Sequence, residues 1–470
     1  MSVRISRYDI IWNYAGSILN LGTGIFVLPV VLRMLTIQEI GLWYVFASIS
    51  GLITLLDFGF APNIMRNITY SWCGAQELMR EGISLSDKKD GPNYALIKSL
   101  VQASRKLYLI IALIAGVLLV SAGTYYIYSL LPTKDIQYLI AWLLYLTAVL
   151  INIYYSYWSP LLKGIGAVKE ANQAIIVSRM IYVFGAPIGL FLGGGLIWLS
   201  LMFLISGLVL RILSKIYFLK AAGVEYQFAK CDTMNSFKKV FSILWHNSKK
   251  LGIVMIGGWL ITNSTTLMCS TYLGLEITAT YGLSLQLLNI IGSFSSLLFS
   301  SYIPDITSSK IRNDFQRYNQ IFSRAITVQW FIGLIGIICL IMIGPSVLSL
   351  IGSKAKLLPT DMLLLMGLIL FLEWNHSSFA TLITLSNTVP FVGASIYSGM
   401  SILALSLILI HTTELGLLGI ISAQGLVQLA YNNWYWPRLV LRENHLSVLQ
   451  ILKSAFNDFL SLKLIKRRLS

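Results

Sequence analysis

The chain has 470 residues, of which 56% are hydrophobic and only 11% charged, and its formal net charge is +16. A soluble domain of average composition carries about 25% charged residues, so this chain lacks the polar surface that a soluble enzyme of its size needs. Its basic residues stand between apolar runs and form no continuous patch, which argues against a nucleic-acid-binding protein. The composition therefore indicates a protein embedded in a membrane along most of its length.

Twelve apolar runs are candidates for membrane-spanning helices, each of which needs about 20 residues. The first run begins near Tyr8 and is followed by no small-residue cleavage site, so we expect it to remain as a helix and not to be removed as a signal peptide. The predicted helices lie near 8–32, 40–66, 107–131, 136–161, 173–193, 196–219, 251–273, 277–303, 325–348, 360–384, 391–411 and 417–437.

The basic residues predict how these helices are oriented. If the N-terminus is cytoplasmic, 30 of the 35 Lys and Arg residues fall in inside segments and four fall in outside segments. Such a bias places both termini in the cytoplasm. Arg211 is counted with the basic inside segment 211–250, and only Arg179 stands inside a helix. The outside loops are short, which leaves no room there for a catalytic domain.

A long basic stretch lies between predicted helices six and seven; among the inside segments only the second inside loop is longer. This stretch predicts that the chain is divided into two halves. We expect an N-terminal six-helix lobe over 1–220, a basic cytoplasmic linker over 221–250 and a C-terminal six-helix lobe over 251–437. Residues 438–470 are too charged to span a membrane and are expected to form a basic amphipathic tail on the inner leaflet. The predicted fold class is thus an all-α polytopic membrane protein, with about twelve transmembrane helices in two lobes around a central cavity.

Polar residues form stripes on three predicted helices, at spacings of three and four that place them on one face. Interhelical hydrogen bonding and close packing explain any single stripe, whereas three long stripes favour a hydrated cavity. From these stripes we select as cavity candidates Asn13, Asn20, Asn152, Tyr155, Gln286 and Asn289.

Charged residues within the predicted helices are the other candidates, because each one is costly there unless it is paired or hydrated. Asp57 and Arg179 are equally compatible with a structural ion pair and with substrate contacts, and Arg66 ends helix two. Glu373 and His376 share a face of helix ten, but no second E-x-x-H pair completes a di-iron site. A role in ion coupling, for which Asp57 is also a candidate, or in packing is favoured over a metal.

No catalytic signature stands in the sequence. It has no P-loop, no H-E-x-x-H motif and no aspartate-rich sugar-nucleotide motif, and its four histidines leave little room for acid–base chemistry. We therefore predict no catalytic residue, no metal and no cofactor beyond a possible H⁺ or Na⁺ gradient. The protein is expected to move a substrate and not to convert one.

Three stretches carry a resemblance to a known family. The segment LPVVLRMLTIQEIGLWYVFASISGLITLLDFGFAPNIMRNI at 28–68 resembles the opening of Wzx-type polysaccharide flippases of the MOP superfamily, which export O-antigen and capsule units in bacteria. Its most typical parts are the step from Arg33 to Trp43 and the Asp57-Phe58-Gly59 turn. LLKGIGAVKEANQA at 161–174 and YLGLEITATYGLSLQLLNIIGSFSSLLFSSYIPDI at 272–306 are similar to that family's later loops and helices.

The resemblance implies two six-helix lobes that work by alternating access in the bacterial inner membrane. The implied cargo is an undecaprenyl-diphosphate-linked oligosaccharide for O-antigen or other surface polysaccharide, with a polymerase and chain-length machinery as possible partners. Cavity cations, with Arg179 and Arg66 as candidates, would hold the diphosphate. The main alternative is a cation-coupled multidrug or metabolite antiporter of the MATE-type branch, although the first helix is acidic only at Asp9. A membrane glycosyltransferase or polymerase is a third reading, which the short outside loops oppose.

Overall fold

The computed structural model describes residues 7–79, 91–131, 135–221, 224–311, 314–384 and 390–454. Every regular element within these ranges is helical. Ten of the described helices are long and apolar enough to cross a membrane, and a shorter apolar segment, Gly22–Met34, lies within the first helix. The chain is a multi-pass membrane protein with about 10 to 12 apolar helices, so the predicted all-α polytopic class is confirmed.

The helices group into two compact units, residues 1–259 and residues 260–470. The first unit contains α1 (Arg7–Met34), α2 (Ile37–Thr54), α3 (Phe60–Trp72), α4 (Tyr94–Leu118), α5 (Thr124–Leu130), α6 (Ile136–Tyr154), α7 (Trp158–Gly164), α8 (Val168–Phe191), α9 (Gly195–Lys220), α10 (Val224–Lys230) and most of α11 (Phe237–Thr262). The second contains α12 (Ser264–Tyr272), α13 (Leu275–Ile311), α14 (Phe315–Leu350), α15 (Thr360–Thr384), α16 (Val392–Thr412), α17 (Leu417–Ala430) and α18 (Asn432–Glu443).

The second predicted helix is divided into α2 and α3. A capping box starts α2: the Thr36 hydroxyl accepts from the Glu39 N–H at 3.2 Å, and the Glu39 carboxylate accepts from the Thr36 N–H at 2.8 Å. After a single 3₁₀ turn, Phe58 and Gly59 adopt left-handed conformations, with φ of 47° and 70°. A helix cannot continue through two such residues, so the 3₁₀ turn ends at Asp57. The Asp57 carboxylate therefore lies at the interruption between α2 and α3.

Several other predicted helices differ in their limits. Helix three begins at Tyr94 and not near 107, and helix seven begins at Phe237 and not near 251. The reason is that an apolar run ends at its first charges, whereas the helix continues as an amphipathic segment beyond them. Helix four is interrupted after Tyr154, and helix twelve is divided at Tyr431. In the tail, residues 448–454 are helical, while 455–470 lie outside the described residues.

The N-terminal part of α11 packs within the first unit. Asn63 donates its Nδ2 proton to Ser248 Oγ at 2.7 Å, and the rings of Phe60 and Trp245 lie 6.0 Å apart. The indole N–H of Trp259 donates to the carbonyl of Ser48 at 3.3 Å. Thus α11 forms part of the first unit's core up to Trp259. The domain limits drawn from the sequence stay a prediction.

Small and polar residues allow the helices of the first unit to approach closely. Ser178 on α8 donates to the carbonyl of Ser206 on α9 at 2.7 Å, and both side chains are buried. A Cβ added to Gly164 on α7 would lie 2.7 Å from Ile68 Cγ2 on α3. Contacts of this kind replace the hydrophobic driving force that is missing between helices in a lipid environment. They hold α8 against α9 and α7 against α3, beside the polar residues described next.

Candidate functional site

A membrane-span arginine stands at the centre of the polar residues of the first unit. Arg211 lies on α9, and its Nε donates to Asn152 Oδ1 on α6 at 3.2 Å. Its Nη1 donates to Ser159 Oγ on α7 at 3.1 Å. These two bonds orient the guanidinium but bring no negative charge, and a guanidinium has five N–H donors. The described partners of Arg211 therefore do not neutralise its charge, and they use only two of its five donors.

The close approach of α9 to α6 is made possible by Gly207, one turn before Arg211. A Cβ at this position would lie 2.1 Å from Asn152 Nδ2 and 2.9 Å from Asn152 Cγ. The Asn152 side chain also donates to the carbonyl of Ala148 at 2.9 Å, which fixes its orientation. The Asn152 oxygen is thereby held where Arg211 can reach it.

Asp57 lies close to this group of residues. Its carboxylate accepts a hydrogen bond from the hydroxyl of Tyr108 on α4, which is 1% exposed, and a longer one from the Ala61 N–H at 3.4 Å. Tyr108 also bonds to the Ser156 side chain, in the turn between α6 and α7, and interacts electrostatically with Arg211. Asp57 is thus connected through one buried tyrosine to the turn between α6 and α7, the two helices that carry the partners of Arg211.

Arg179 is the second arginine of this group. Its Nε on α8 donates to Asn20 Oδ1 on α1 at 2.8 Å. Arg179 and Arg211 are close enough to repel one another electrostatically. In the structure, Arg179 bonds to Asn20 and Asp57 bonds to Tyr108. The described contacts therefore do not include the ion pair between Arg179 and Asp57 that the sequence left open. Neither arginine has a carboxylate partner within the part of the chain that the structure describes.

The remaining candidates of the first unit have no described contact with the arginine pair. Arg66 on α3 is exposed, and its Nη2 donates to Asn63 Oδ1 at 3.0 Å. Tyr155 is exposed in the turn after α6, with its ring 4.5 Å from that of Tyr154. Asn13 lies on α1, where its side chain is outside the described residues.

In the second unit, Glu373 is buried in an amide network. Its Oε1 accepts from Gln424 Nε2 on α17 at 2.8 Å, and Gln428 also donates to it. Gln428 Oε1 in turn accepts from Asn432 Nδ2 at 2.8 Å, and Asn432 also donates to Ser398 on α16. Among the described residues, the carboxyl is surrounded by neutral donors and has no cationic partner.

The other candidates of this unit are dispersed. His376 Nδ1 lies 2.8 Å from Asn433 Oδ1 on α18, one turn beyond Glu373. Gln286 is half-buried and Asn289 is exposed on α13. Within the described ranges, no group of three or more His, Cys, Asp or Glu residues could hold a metal ion.

Sequence reasoning missed Arg211 because it was assigned to the basic inside segment. The structure places it nine residues before the end of α9, at Lys220. A helical spacing of four from Gly207 was the available signal, since small residues mark the faces on which membrane helices meet. Hydropathy alone could not find the site, because one cation near a helix end counts as loop charge.

Comparison with known proteins gives similarity in structure alone. No family model matches the chain, and no curated protein matches it in sequence. A multidrug resistance MATE family transporter of the MOP superfamily, in its inward-facing conformation, has a TM-score of 0.65 at 15% identity, covering 92% of this chain and 95% of its own. The lipid II flippase MurJ, in an inward closed conformation, has a TM-score of 0.61 at 13% identity, covering 98% of this chain and 93% of its own.

A third structure is a MOP superfamily transporter from Pyrococcus furiosus, with a TM-score of 0.52 at 14% identity, covering 94% of this chain and 95% of its own. These neighbours are transporters and flippases and not enzymes. The similarity extends over nearly the full length of each chain. Because the sequence identity is low, this similarity shows a shared fold and nothing more. This polytopic chain has the fold of the MATE and MurJ transporters of the MOP superfamily.

Proposed function

We propose that this protein is a flippase that moves an undecaprenyl-diphosphate-linked oligosaccharide from the inner to the outer leaflet of the bacterial cytoplasmic membrane, for O-antigen or other surface polysaccharide. The observation that carries the proposal is the pair Arg179 and Arg211, which lie in membrane-spanning helices and whose described partners are Asn20, Asn152 and Ser159.

The physical argument begins with the cost of these cations. A charged side chain within a spanning helix is costly unless it is paired or hydrated, up to about 2.5–3.5 kcal/mol on insertion scales for the helix centre. Two arginines without a carboxylate partner among the described residues therefore indicate a function or a further partner. Amide and hydroxyl oxygens orient a guanidinium without neutralising it. An anionic ligand would neutralise the pair, and arginine is well suited to phosphate because its planar donors bind two oxygens at once.

The polar residues near the arginines would serve the sugar part of the cargo. Asn20 and Asn152 each hold an arginine through one oxygen, and Tyr155 offers an exposed ring and hydroxyl. Gln286 and Asn289 of the second unit stay candidates from the sequence alone. Neutral hydrogen-bonding side chains beside an anion site match a ligand whose charge lies at one end and whose hydroxyls lie at the other.

Ion coupling would use the acidic groups. Glu373 is a buried carboxyl with amide donors as its described partners, and Asp57 is bonded to Tyr108. We propose that H⁺ or Na⁺ binding at one of these groups accompanies alternating access, with His376 as a less direct candidate. No resident metal or cofactor is part of the proposal. Both termini would lie in the cytoplasm, and a polysaccharide polymerase with its chain-length machinery would take over the product.

A cation-coupled multidrug or metabolite antiporter is the second candidate. The buried carboxyl of Glu373 would serve such a protein equally well, and the MATE transporters share the fold. The arginine pair distinguishes the two candidates, because a cationic drug would be repelled by Arg179 and Arg211, whereas a diphosphate would be attracted.

The test is a gene deletion in the host, followed by measurement of surface polysaccharide and of lipid-linked repeat units. An impermeant lectin assigns the units to a leaflet. Loss of surface polymer with complete units on the inner leaflet is the expected result, and complementation with Asp57→Ala, Arg179→Ala and Glu373→Ala then ranks the residues. Normal surface polymer, in a host without a second flippase, would overturn the proposal and favour drug-export assays. Complete but unpolymerised units on the outer leaflet would instead indicate a polymerase.

A further inference from the structure

The turn between α2 and α3 has a strained backbone. Phe58 has φ 47° and ψ 25°, which is the left-handed region that residues other than glycine rarely adopt, and Gly59 follows it with φ 70°. This conformation is disfavoured about five- to thirtyfold for a residue with a side chain. Pro62 in the first turn of α3 favours a break here, but a proline does not require a left-handed phenylalanine. Contacts from elsewhere in the protein must therefore hold Phe58 in this conformation.

A glycine on α11 provides the first of these contacts. A Cβ added to Gly252 would lie 2.1 Å from Phe58 Cδ1 and 3.0 Å from Phe58 Cβ, so the phenylalanine fills the space that a side chain would occupy. The ring of Trp245, about two turns earlier on α11, lies 5.8 Å from that of Phe58. Because the near atoms belong to the base of the phenylalanine side chain, any larger residue at 252 must displace either the ring or the helix.

Hydrogen bonds from the same face of α11 hold the second residue of the turn. The Ser248 hydroxyl donates to the Gly59 carbonyl at 3.3 Å. Asn63 donates to that carbonyl at 3.1 Å and to Ser248 Oγ at 2.7 Å, and both side chains are buried. Trp245, Ser248 and Gly252 are spaced by three and four residues, so they share one side of the helix. We call this side the α11 latch.

The strained turn also determines where Asp57 lies. Asp57 immediately precedes Phe58, and its carboxylate accepts from the Tyr108 hydroxyl and from the Ala61 N–H at 3.4 Å. Ala61 stands on the other side of the turn, so a change in the backbone angles of Phe58 moves Asp57 relative to it. The position of the Asp57 carboxylate therefore depends on the shape that the α11 latch gives to the turn.

The helix that carries the latch is also the covalent connection between the two compact units. The first unit ends at Trp259, and α11 continues to Thr262. Any rearrangement that moves α11 along or about its axis would withdraw the latch from the turn.

We propose that the α11 latch controls Asp57. With the latch in place, Phe58 is held left-handed and Asp57 is bonded to Tyr108; when α11 moves, the turn relaxes and the carboxylate is released. The strain at Phe58 favours this release, since a left-handed phenylalanine persists only while its surroundings impose it. Ion binding at Asp57 and movement of α11 would then occur together during alternating access. The latch rests on the proposed function, in which Asp57 is a candidate for ion coupling.

A double-mutant cycle in the full-length protein tests the latch, with reversible unfolding in detergent as the measurement. Tyr108→Phe removes the donor to Asp57, and Gly252→Ala closes the space for Phe58. If the latch holds the carboxylate, the effect of Tyr108→Phe on the unfolding equilibrium constant is expected to shrink at least about fivefold in the Gly252→Ala background. Gly258→Ala on the same helix is the matched control, because a Cβ there meets nothing within 4 Å. It is expected to be additive with Tyr108→Phe within about twofold.

A rescue variant separates the latch from a general loss of packing. Phe58→Gly in the Gly252→Ala background has no ring to meet the new Cβ and adopts the left-handed conformation without strain, so it is expected to restore most of the effect of Tyr108→Phe. If Gly252→Ala does not fold, Ser248→Ala, which removes the donor to the Gly59 carbonyl, replaces it in the cycle. Additivity of the latch variant with Tyr108→Phe within about twofold, equal coupling by Gly258→Ala, or a rescue variant that restores none of the effect overturns the latch.

The cycle needs no cargo, so its failure and that of the proposed function are distinguishable. Coupling in the cycle, together with normal surface polymer in the deletion strain, would leave the structural link between α11 and Asp57 and overturn the flippase. Additivity in the cycle, together with loss of surface polymer, would overturn the latch and leave the flippase. In complementation, Gly252→Ala is expected to lower surface polymer as Asp57→Ala does, and Gly258→Ala to leave it at the wild-type level.

Discussion

Replacement of Arg211 by glutamine removes the charge from the polar group of the first unit while keeping a side chain that can still hydrogen-bond. In the wild type, Arg211 Nε and Nη1 donate to Asn152 and Ser159 at 3.2 Å and 3.1 Å. The amide of glutamine can keep one of these contacts. The substitution therefore separates the charge of the guanidinium from its role in joining α6, α7 and α9.

The expected loss of binding affinity in Arg211→Gln follows from the kind of hydrogen bond that is lost. Hydrogen bonds to charged groups contribute about 1.5–3 kcal/mol each, so the loss of one charged contact to a diphosphate weakens binding about 10- to 100-fold. Stability behaves differently, because removal of a partly buried cation relieves a desolvation cost that offsets the lost bonds. We expect the free energy of unfolding to change by no more than about 1 kcal/mol. Arg211→Lys keeps the charge but loses the planar pair of donors of the guanidinium. Its affinity for the diphosphate is therefore expected to lie between those of the wild type and Arg211→Gln.

The assay is equilibrium binding of undecaprenyl diphosphate to purified protein, together with thermal unfolding and complementation of a deletion strain. Lys215→Gln is the matched control, since Lys215 is an exposed cation one turn further along α9. The reasoning is refuted if Arg211→Gln binds the probe as the wild type does, or if Lys215→Gln reduces binding by the same factor. The latter result would mean that net charge, and not the position of Arg211, determines binding.

The remaining predictions concern helix contact and buried bonds. Gly207→Ala places a Cβ 2.1 Å from Asn152 Nδ2, so we expect a loss of about 1–3 kcal/mol in stability and reduced complementation, measured by thermal unfolding and by surface polymer. Tyr108→Phe removes the donor to the carboxylate at the end of the 3₁₀ turn and is expected to cost about 1–3 kcal/mol, measured by the same unfolding assay. Gln424→Leu leaves Glu373 Oε1 without its 2.8 Å donor, and we expect a similar cost that Glu373→Leu in the same chain partly restores, measured as a double-mutant cycle.

A control accompanies the glycine substitution. Gly258 lies inside α11, and an added Cβ there would have nothing within 4 Å. Gly258→Ala is therefore expected to leave stability unchanged or slightly improved, because alanine favours the helix by up to about 1 kcal/mol. Equal destabilisation by Gly207→Ala and Gly258→Ala would contradict the argument from close helix contact.

The sequence by itself determined the membrane-embedded, all-helical class and the approximate position of most spans. Apolar runs of about 20 residues permit hardly any other structure, since backbone polar groups in lipid must be satisfied within a helix. Asp57 and Arg179 were also visible in the sequence, because a charge within an apolar run stands out. The orientation predicted from the distribution of lysine and arginine stays a prediction.

Only the tertiary structure decided which of these residues meet. Arg211 acquires its role because α6, α7 and α9 pack around it, and residues 52 and 59 positions apart become its ligands. The break at Tyr431 was hidden inside a continuous apolar run, because hydropathy reports composition and not backbone dihedral angles. A charge within a helix becomes part of a site only through contacts with residues that are distant in the sequence. No local sequence pattern encodes those contacts.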